Sequence, residues 1–291
     1  MSLSKRIDRL RAQAGGRAPG AAPEPARHPG LRERLARAQT RQRRTGLQAG
    51  GRRPDDAALA EQVDGVVLAP GLVEVERVLG LETVYGRQSL APLGGCLANV
   101  PEAAALEPSR ALLLDTETTG LAGGTGTVVF LIGVGGLEPA GLRVRHWLLT
   151  GFGGEPALLA RLAELLAASQ GVVSYNGKSF DIPLLKSRAR MHGVDLRLDG
   201  LLHLDLLHPT RRVFRRHWPD CRLATVERRL LGRERLDDLP GAEAPAAWLD
   251  FLQRGDPRQL PAVLRHNGDD ILALAALWAA LDRVYEEEGA S

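Results

Sequence analysis

From residue 111 onward, apolar and polar positions follow two alternating rhythms. ALLLD (111–115), TVVFLIGVG (127–135) and LRVRHWLL (142–149) are β-rich runs separated by glycine-containing turns, the pattern of consecutive strands in a meander. Residues 154–168 (GEPALLARLAELLAA) change to helical spacing with Pro156 near the start, and GVVSYN (171–176) returns to a short apolar run of the buried-strand kind. Helical spacing then recurs at about 181–191, 222–232, 245–253 and 257–285. Three strands, a helix, a strand and a run of helices predict an α/β sheet whose first strands are antiparallel and whose fourth is reached through a crossover helix.

Upstream the rhythm is weaker. Residues 61–110 read as an irregular lead-in to the main domain, which spans 111–285. Residues 1–60 are rich in Arg, Ala, Gly, Pro and Gln and nearly devoid of large apolar side chains beyond a short helical stretch at 31–44. Such composition buries too little surface to offset ordering entropy, so this segment is expected to be a basic, largely disordered arm. Charge sharpens the division: residues 1–53 hold 14 Lys or Arg against three acids, a balance of +11, which leaves −8 for the rest of a chain whose total is +3. A basic arm suits phosphate backbones, and a solubilising linker has the same composition.

With 291 residues, 44% of them hydrophobic, the chain can fill a sizeable core. Cys96 and Cys221 are too few for a disulfide framework or a cysteine-based zinc site. There is no apolar run of about 18 residues, and the N-terminal stretch is basic without an apolar segment, so a soluble cytoplasmic protein with no membrane partner is expected.

The chemistry concentrates in acids at element ends. Asp115 and Glu117, two apart on a strand, project to one side, and like charges so close require protonation or a cation. Ordinary turn chemistry is the alternative, with Thr118, Thr119 and Gly120 supplying the bend. Asp181 follows an apolar strand and an Asn-Gly turn and precedes a helix with an early Pro183. An N-cap role would explain it, although Asn176, Lys178 and Phe180 nearby suggest more. In LRHNGDDILALAALWAAL (264–281), about 100° per residue puts Asp270 on the stripe of Val263, His266, Leu274, Leu277 and Leu281, while Asp269 falls with Arg265 on another face. Gly268 inside this helix suggests a close approach to the backbone. A pair of Mg²⁺ or Mn²⁺ ions held by carboxylates from three segments accounts for all of these acids, with His266 orienting or deprotonating an attacking water.

DTETTGL, YNGKSFD and HNGDD together resemble the three motifs of the DEDD exonucleases, a branch of the ribonuclease H-like superfamily. Five segments in order are most similar to the YprB-type ribonuclease H-like proteins: DTETTGLAGGTGTVVFLIGVG, YNGKSFDIPLL, LHLDLLHPTRR, LATVERRLLG and HNGDDILALAAL, within about residues 70–285. The resemblance implies a mixed five-stranded sheet flanked by helices, with metal ligands at Asp115, Glu117, Asp181 and Asp270. It also implies a 3′ to 5′ exonuclease on single-stranded DNA or RNA. One branch has a Tyr four before the last Asp and the other a His five before it; here His266 lies four before Asp270. Asp205 matches an acid of related exonucleases, or forms a local pair with an arginine.

Thr118, Asn176 and Lys178 are candidate substrate contacts, as are Arg211, Arg212, Arg215 and Arg216 in PTRRVFRRHW, interleaved with Phe214 and Trp218. Core aromatics under a solvated arginine face would give the same pattern. Arg188 and Arg190 could add phosphate contacts. Gly123, Gly124 and Gly126 lack P-loop spacing and are expected in a hairpin. The competing functional reading is a catalytically weak ribonuclease H-like module that only binds nucleic acid.

Overall fold

The computed structural model describes residues 55–120, 126–236 and 238–289. The expected arm through residue 54, its short helix at 31–44, and most of the glycine turn (121–125) lie outside the described residues.

The lead-in is more regular than its sequence suggested. Helix α1 (Asp56–Gln62) is capped by Asp55, whose Oδ1 accepts from the backbone N–H groups of Ala57 (3.1 Å) and Ala58 (3.2 Å), and it buries Leu59 and Ala60. Residues 55–60, assigned to the arm on composition, therefore belong to the folded body. Strand β1 (Gly65–Ala69) makes an antiparallel hairpin with β2 (Leu72–Leu79), and β2 pairs along its whole length with β7 (Gly141–Leu149). LVEVERVL alternates apolar and charged residues, the pattern of a strand with one wet face. On that face Glu76 meets Arg145 of β7 at 2.8 Å.

A small hairpin of β3 (Val84–Tyr85) and β4 (Gln88–Ser89) precedes the central strands β5 (Ala111–Thr118) and β6 (Val129–Glu138). After β7, helix α2 (Glu155–Ala168) carries the chain across to β8 (Gly171–Ser174), which runs parallel to β5. Helix α3 (Asp181–His192) leads to β9 (Leu202–Asp205), parallel to β8. The sheet order is β1-β2-β7-β6-β5-β8-β9. The five strands implied by the resemblance are the run β7-β6-β5-β8-β9; the lead-in adds two more at the antiparallel edge.

Helices α4 (Leu207–Phe214), α5 (Leu223–Val226), α6 (Ala244–Arg254) and α7 (Leu260–Gly289) complete the chain. The helix expected at 222–232 is only a short α segment that widens into a π-helical turn at Glu227–Leu231 and ends at Gly232, φ 64°. Among the described residues, no helix is long and apolar enough to cross a membrane.

Alternate residues of β5 serve two cores. Leu112 and Leu114 pack with residues of α2, α3 and α6, whereas Ala111 and Leu113 pack with those of α7. That alternation determines where the acids at the strand's end point.

Trp248 of α6 secures the first core. It is fully buried, stacks on Phe130 with centroids 4.9 Å apart, meets Phe152 edge-on at 5.5 Å, and donates its indole N–H to the Leu149 carbonyl at 2.6 Å. Trp248→Ala leaves a large cavity and an unpaired carbonyl, and is expected to cost about 3 to 5 kcal/mol. A lowered urea midpoint at unchanged slope is the expected reading; a shift within about 0.5 kcal/mol, the usual size for a neutral surface change, contradicts this packing role.

Candidate active site

Asp115 and Glu117 have the same parity on β5 as Leu113 and therefore face α7. There Asn267, completely buried, donates its Nδ2 to Asp115 Oδ2 at 2.7 Å. Space for that amide comes from Gly133, the β6 residue directly opposite Asp115; a Cβ at Gly133 would collide with the Asn267 side chain. One residue earlier on α7 is His266, and one turn beyond it Asp270. His266 Nε2 lies 3.5 Å from Asp270 Oδ2 and 3.9 Å from Glu117 Oε1. One ligand atom from each of Glu117, His266 and Asp270 fits within a common span of 4.8 Å.

The other imidazole nitrogen is engaged: His266 Nδ1 is 2.7 Å from Asp238 Oδ2. A carboxylate oxygen accepts, so Nδ1 is the donor in this pair, and in the neutral ring Nε2 is the acceptor facing Glu117 and Asp270. A carboxylate behind an imidazole is also the usual support for a metal-ligating or basic histidine.

Asp181 arrives from the other face of the sheet. It is the first residue of α3, one position past the N-cap, which is Phe180. Its Oδ1 instead accepts from the hydroxyl of Thr116, which points away from α7, toward the core that α3 covers. The loop before it is held by Asp205, which accepts from the backbone N–H groups of Asn176 (2.7 Å), Lys178 (3.1 Å) and Leu207 (3.1 Å). Asn176 there adopts a left-handed conformation, φ 65°. Asp205 is thus a loop anchor, and among the described residues no arginine pairs with it.

Four carboxylates converging under burial disfavour one another's ionised forms. Burial is the first cause at each of them: it raises Asp115, with Asp270, Asp181 and Glu117 adding repulsion, and it raises Asp181 against the opposing Thr116 hydrogen bond. Glu117 is pushed up to about 8 by burial, with Asp270 and Asp181 contributing. Asp270 is raised by burial despite Arg235 and His266.

Arg235, unremarked in the sequence, provides the compensating charge. Its Nη2 lies 2.7 Å from Asp270 Oδ1 and 2.8 Å from Glu227 Oε1, and its Nη1 3.3 Å from Asp238 Oδ2. Burial opposes its charge, but Asp270 and Glu227 outweigh that and hold its pKa above the usual arginine value. Tyr85 of β3 donates to the same Glu227 carboxylate.

Beside these acids lies a cleft of about 530 Å³ lined by Asp115, Thr118, Asn176, Phe180 and Asp181. Phe180 is 49% exposed at its rim, and Lys178 is exposed nearby. Arg211, Arg215 and Arg216 are exposed on and just after α4, while Arg212 is turned onto Glu102 and the Tyr285 hydroxyl (3.1 Å). Phe214 and Trp218 stack on each other at 4.1 Å and pack against the core. Arg188 is not available to phosphate: it is buried against Glu155, which also takes His192 at 2.9 Å. His203 bonds the Ser174 hydroxyl at 2.8 Å.

Sequence reasoning missed Thr116, Asn267, Asp238 and Arg235. Asn267 had a signal, since it lies inside the HNGDD motif beside two singled-out residues. Arg235 and Asp238 had none, because they sit in irregular chain whose position only packing sets.

The residues present fit a hard divalent cation. Oxygen donors dominate, an imidazole nitrogen faces them, and a single arginine is shared among the carboxylates, so a divalent cation would relieve their mutual repulsion.

A family model described as the RNase_H superfamily matches residues 112–282. Over 189 residues the chain is 36% identical to the "Uncharacterized protein YprB" of Bacillus subtilis (strain 168), a match covering 64% of this chain and 45% of that protein. The chain thus spans less than half the length of this relative. Among solved structures, the family B DNA polymerase from the hyperthermophilic archaeon Pyrobaculum calidifontis is similar with a TM-score of 0.42 and 19% identity, over 57% of this chain and 24% of that one.

The folded protein holds on Glu117 a proton that the unfolded chain releases near pH 4.5, so without metal the contribution of this cluster to stability falls as pH rises from about 4.5 toward 8. A cation binding the deprotonated cluster reverses this. Added Mg²⁺ or Mn²⁺ is expected to raise Tm more at pH 8 than at pH 5.5, with net proton release in calorimetry. A Tm gain independent of pH contradicts binding at this cluster.

Proposed function

The chain belongs to the RNase H superfamily, as a protein of the YprB type, and from that membership and the site's geometry we propose that it is a metal-dependent nuclease hydrolysing phosphodiester bonds. The carrying observation is the approach of Glu117, His266 and Asp270 within 4.8 Å, beside Asp115 and Asp181, in a buried carboxylate cluster. Asp115, Glu117, Asp181 and Asp270 would hold two Mg²⁺ or Mn²⁺ ions. Such ions, when bound, stabilise the charge developing on the attacking and leaving oxygens.

The chain's own groups position and move protons. Asn267 fixes the Asp115 carboxylate and Thr116 that of Asp181. Asp238 holds His266 so that Nε2 can accept the proton of an attacking water. The adjoining cleft, with Thr118 and Asn176 in its wall and Phe180 at its rim, suits a single-stranded end whose terminal base stacks on the exposed ring. Lys178, Arg211, Arg215 and Arg216 would contact the phosphates that follow, in DNA or RNA, and Arg212 only if it leaves Glu102. This reading makes the protein a 3′ to 5′ exonuclease acting in the cytoplasm.

A specific observation favours the second reading, a weakly catalytic binding module: Arg235 already occupies Asp270 Oδ1. End-labelled single-stranded DNA and RNA with Mg²⁺ or Mn²⁺ decide between them. Stepwise shortening from the 3′ end is expected, abolished by chelator and by Asp115→Ala, and lowered roughly 10²- to 10⁴-fold by His266→Ala. Equal binding by wild type and Asp115→Ala with no cleavage under either metal leaves the module.

A further inference from the structure

On the opposite flank of α7 from the acids is a second cleft, of about 410 Å³, between the helix and strands β2 and β7. Its floor is apolar, formed by valines and leucines including Val75, Val144 and Leu272. Arg77, Arg233 and Arg265 face it, together with Asp64 and Asp269. The three arginines are exposed, and among the described residues none has a carboxylate within ion-pair distance. Arg233 lies over the Tyr85 ring, 5.3 Å from its centroid, which sets its direction.

At the closed end lies His146. It is 5% exposed, and its Nε2 finds no partner among the described residues. A buried imidazole nitrogen without a partner costs free energy, so a native protein needs a reason to keep one. Nothing in the acid centre uses it. The helix is shaped around the ring: a Cβ at Gly268 would stand 3.3 Å from His146 Cε1 and 3.5 Å from Nε2. The close approach expected at Gly268 is therefore this histidine. Burial, aided by Arg77, lowers its pKa to about 4, so the ring beneath the cleft is neutral near pH 7 and does not add to the charge of the arginines.

We propose that this cleft is a binding site for a small phosphorylated ligand of nucleoside monophosphate size. Guanidinium groups take the phosphoryl oxygens, the two carboxylates accept from sugar hydroxyls, and the apolar floor covers the base. A bare phosphate gains from the arginines but is opposed by Asp64 and Asp269, so the cleft discriminates in favour of a ligand that also carries hydroxyls. The volume suits such a molecule, being near the lower end of the range for small-molecule pockets. The proposal is independent of the nuclease reading, since no residue of the acid centre lines the cleft.

The test is calorimetric titration of the full chain in chelator with each of the four ribonucleoside 5′-monophosphates and, separately, inorganic phosphate. Saturable binding of at least one nucleotide is expected, at least tenfold tighter than phosphate. Arg77→Gln with Arg265→Gln should weaken it at least tenfold, and Asp115→Ala should leave it unchanged. Both arginines are exposed, so an unchanged Tm verifies that the variant is folded. Absence of saturation, binding indifferent to the arginine pair, or binding lost in Asp115→Ala each overturns the site.

Discussion

The constraint on which this structure turns is electrostatic: carboxylates from β5, α3 and α7 are brought together in a partly buried cluster at the edge of a cleft. Burial and mutual repulsion raise Asp115, Glu117, Asp181 and Asp270 alike, and a cluster of that kind persists only if the fold fixes it from several directions. It does so with one buried arginine, an asparagine amide, a threonine hydroxyl and a carboxylate-backed imidazole. Two of these supports depend in turn on other residues: Arg235 is held by Glu227, and Asn267 fits in the room that Gly133 leaves.

The sheet explains how carboxylates from opposite faces reach one place. Along β5, successive residues alternate between the α7 core and the core under α2, α3 and α6. Asp115 and Glu117 therefore take one side, and Thr116 between them takes the other, where it meets Asp181 at the start of α3. A DTE triplet at a strand end thus links two layers of the fold. The parallel pairing of β5, β8 and β9 places the β8–α3 loop and its anchor Asp205 at the same end of the sheet.

One crosswise row of the sheet carries both clefts. Asp115, Gly133, His146 and Val75 are successive partners across β5, β6, β7 and β2. Helix α7 lies over that row with Asn267 above Gly133 and Gly268 against His146, so the acid centre and the histidine cleft flank a single turn of helix. The strand β2 that closes the second cleft comes from the lead-in segment, where the alternation in LVEVERVL stands among irregular neighbours.

By itself the sequence determined what periodicity can carry. Strands β5 to β8 and helices α2, α3, α6 and α7 stand close to their expected bounds, whereas β9 and α4 had no counterpart in the periodicity and 222–232 is only partly α-helical. The 100° geometry of one helix separated Asp270 from Asp269: the first meets Arg235 and His266, the second lines the other cleft. Local spacing also brought forward Asp115, Glu117, Asp181 and His266, because each sits at a fixed offset within its own element. Tertiary structure alone decided the compensation. Which arginine neutralises the acids, that Asp238 stands behind His266, that Asp205 holds backbone and Arg188 is buried against Glu155 are all facts of contact between distant segments. No periodicity encodes such pairings, since they depend on where packing sets irregular chain and not on the residue's place within a repeat.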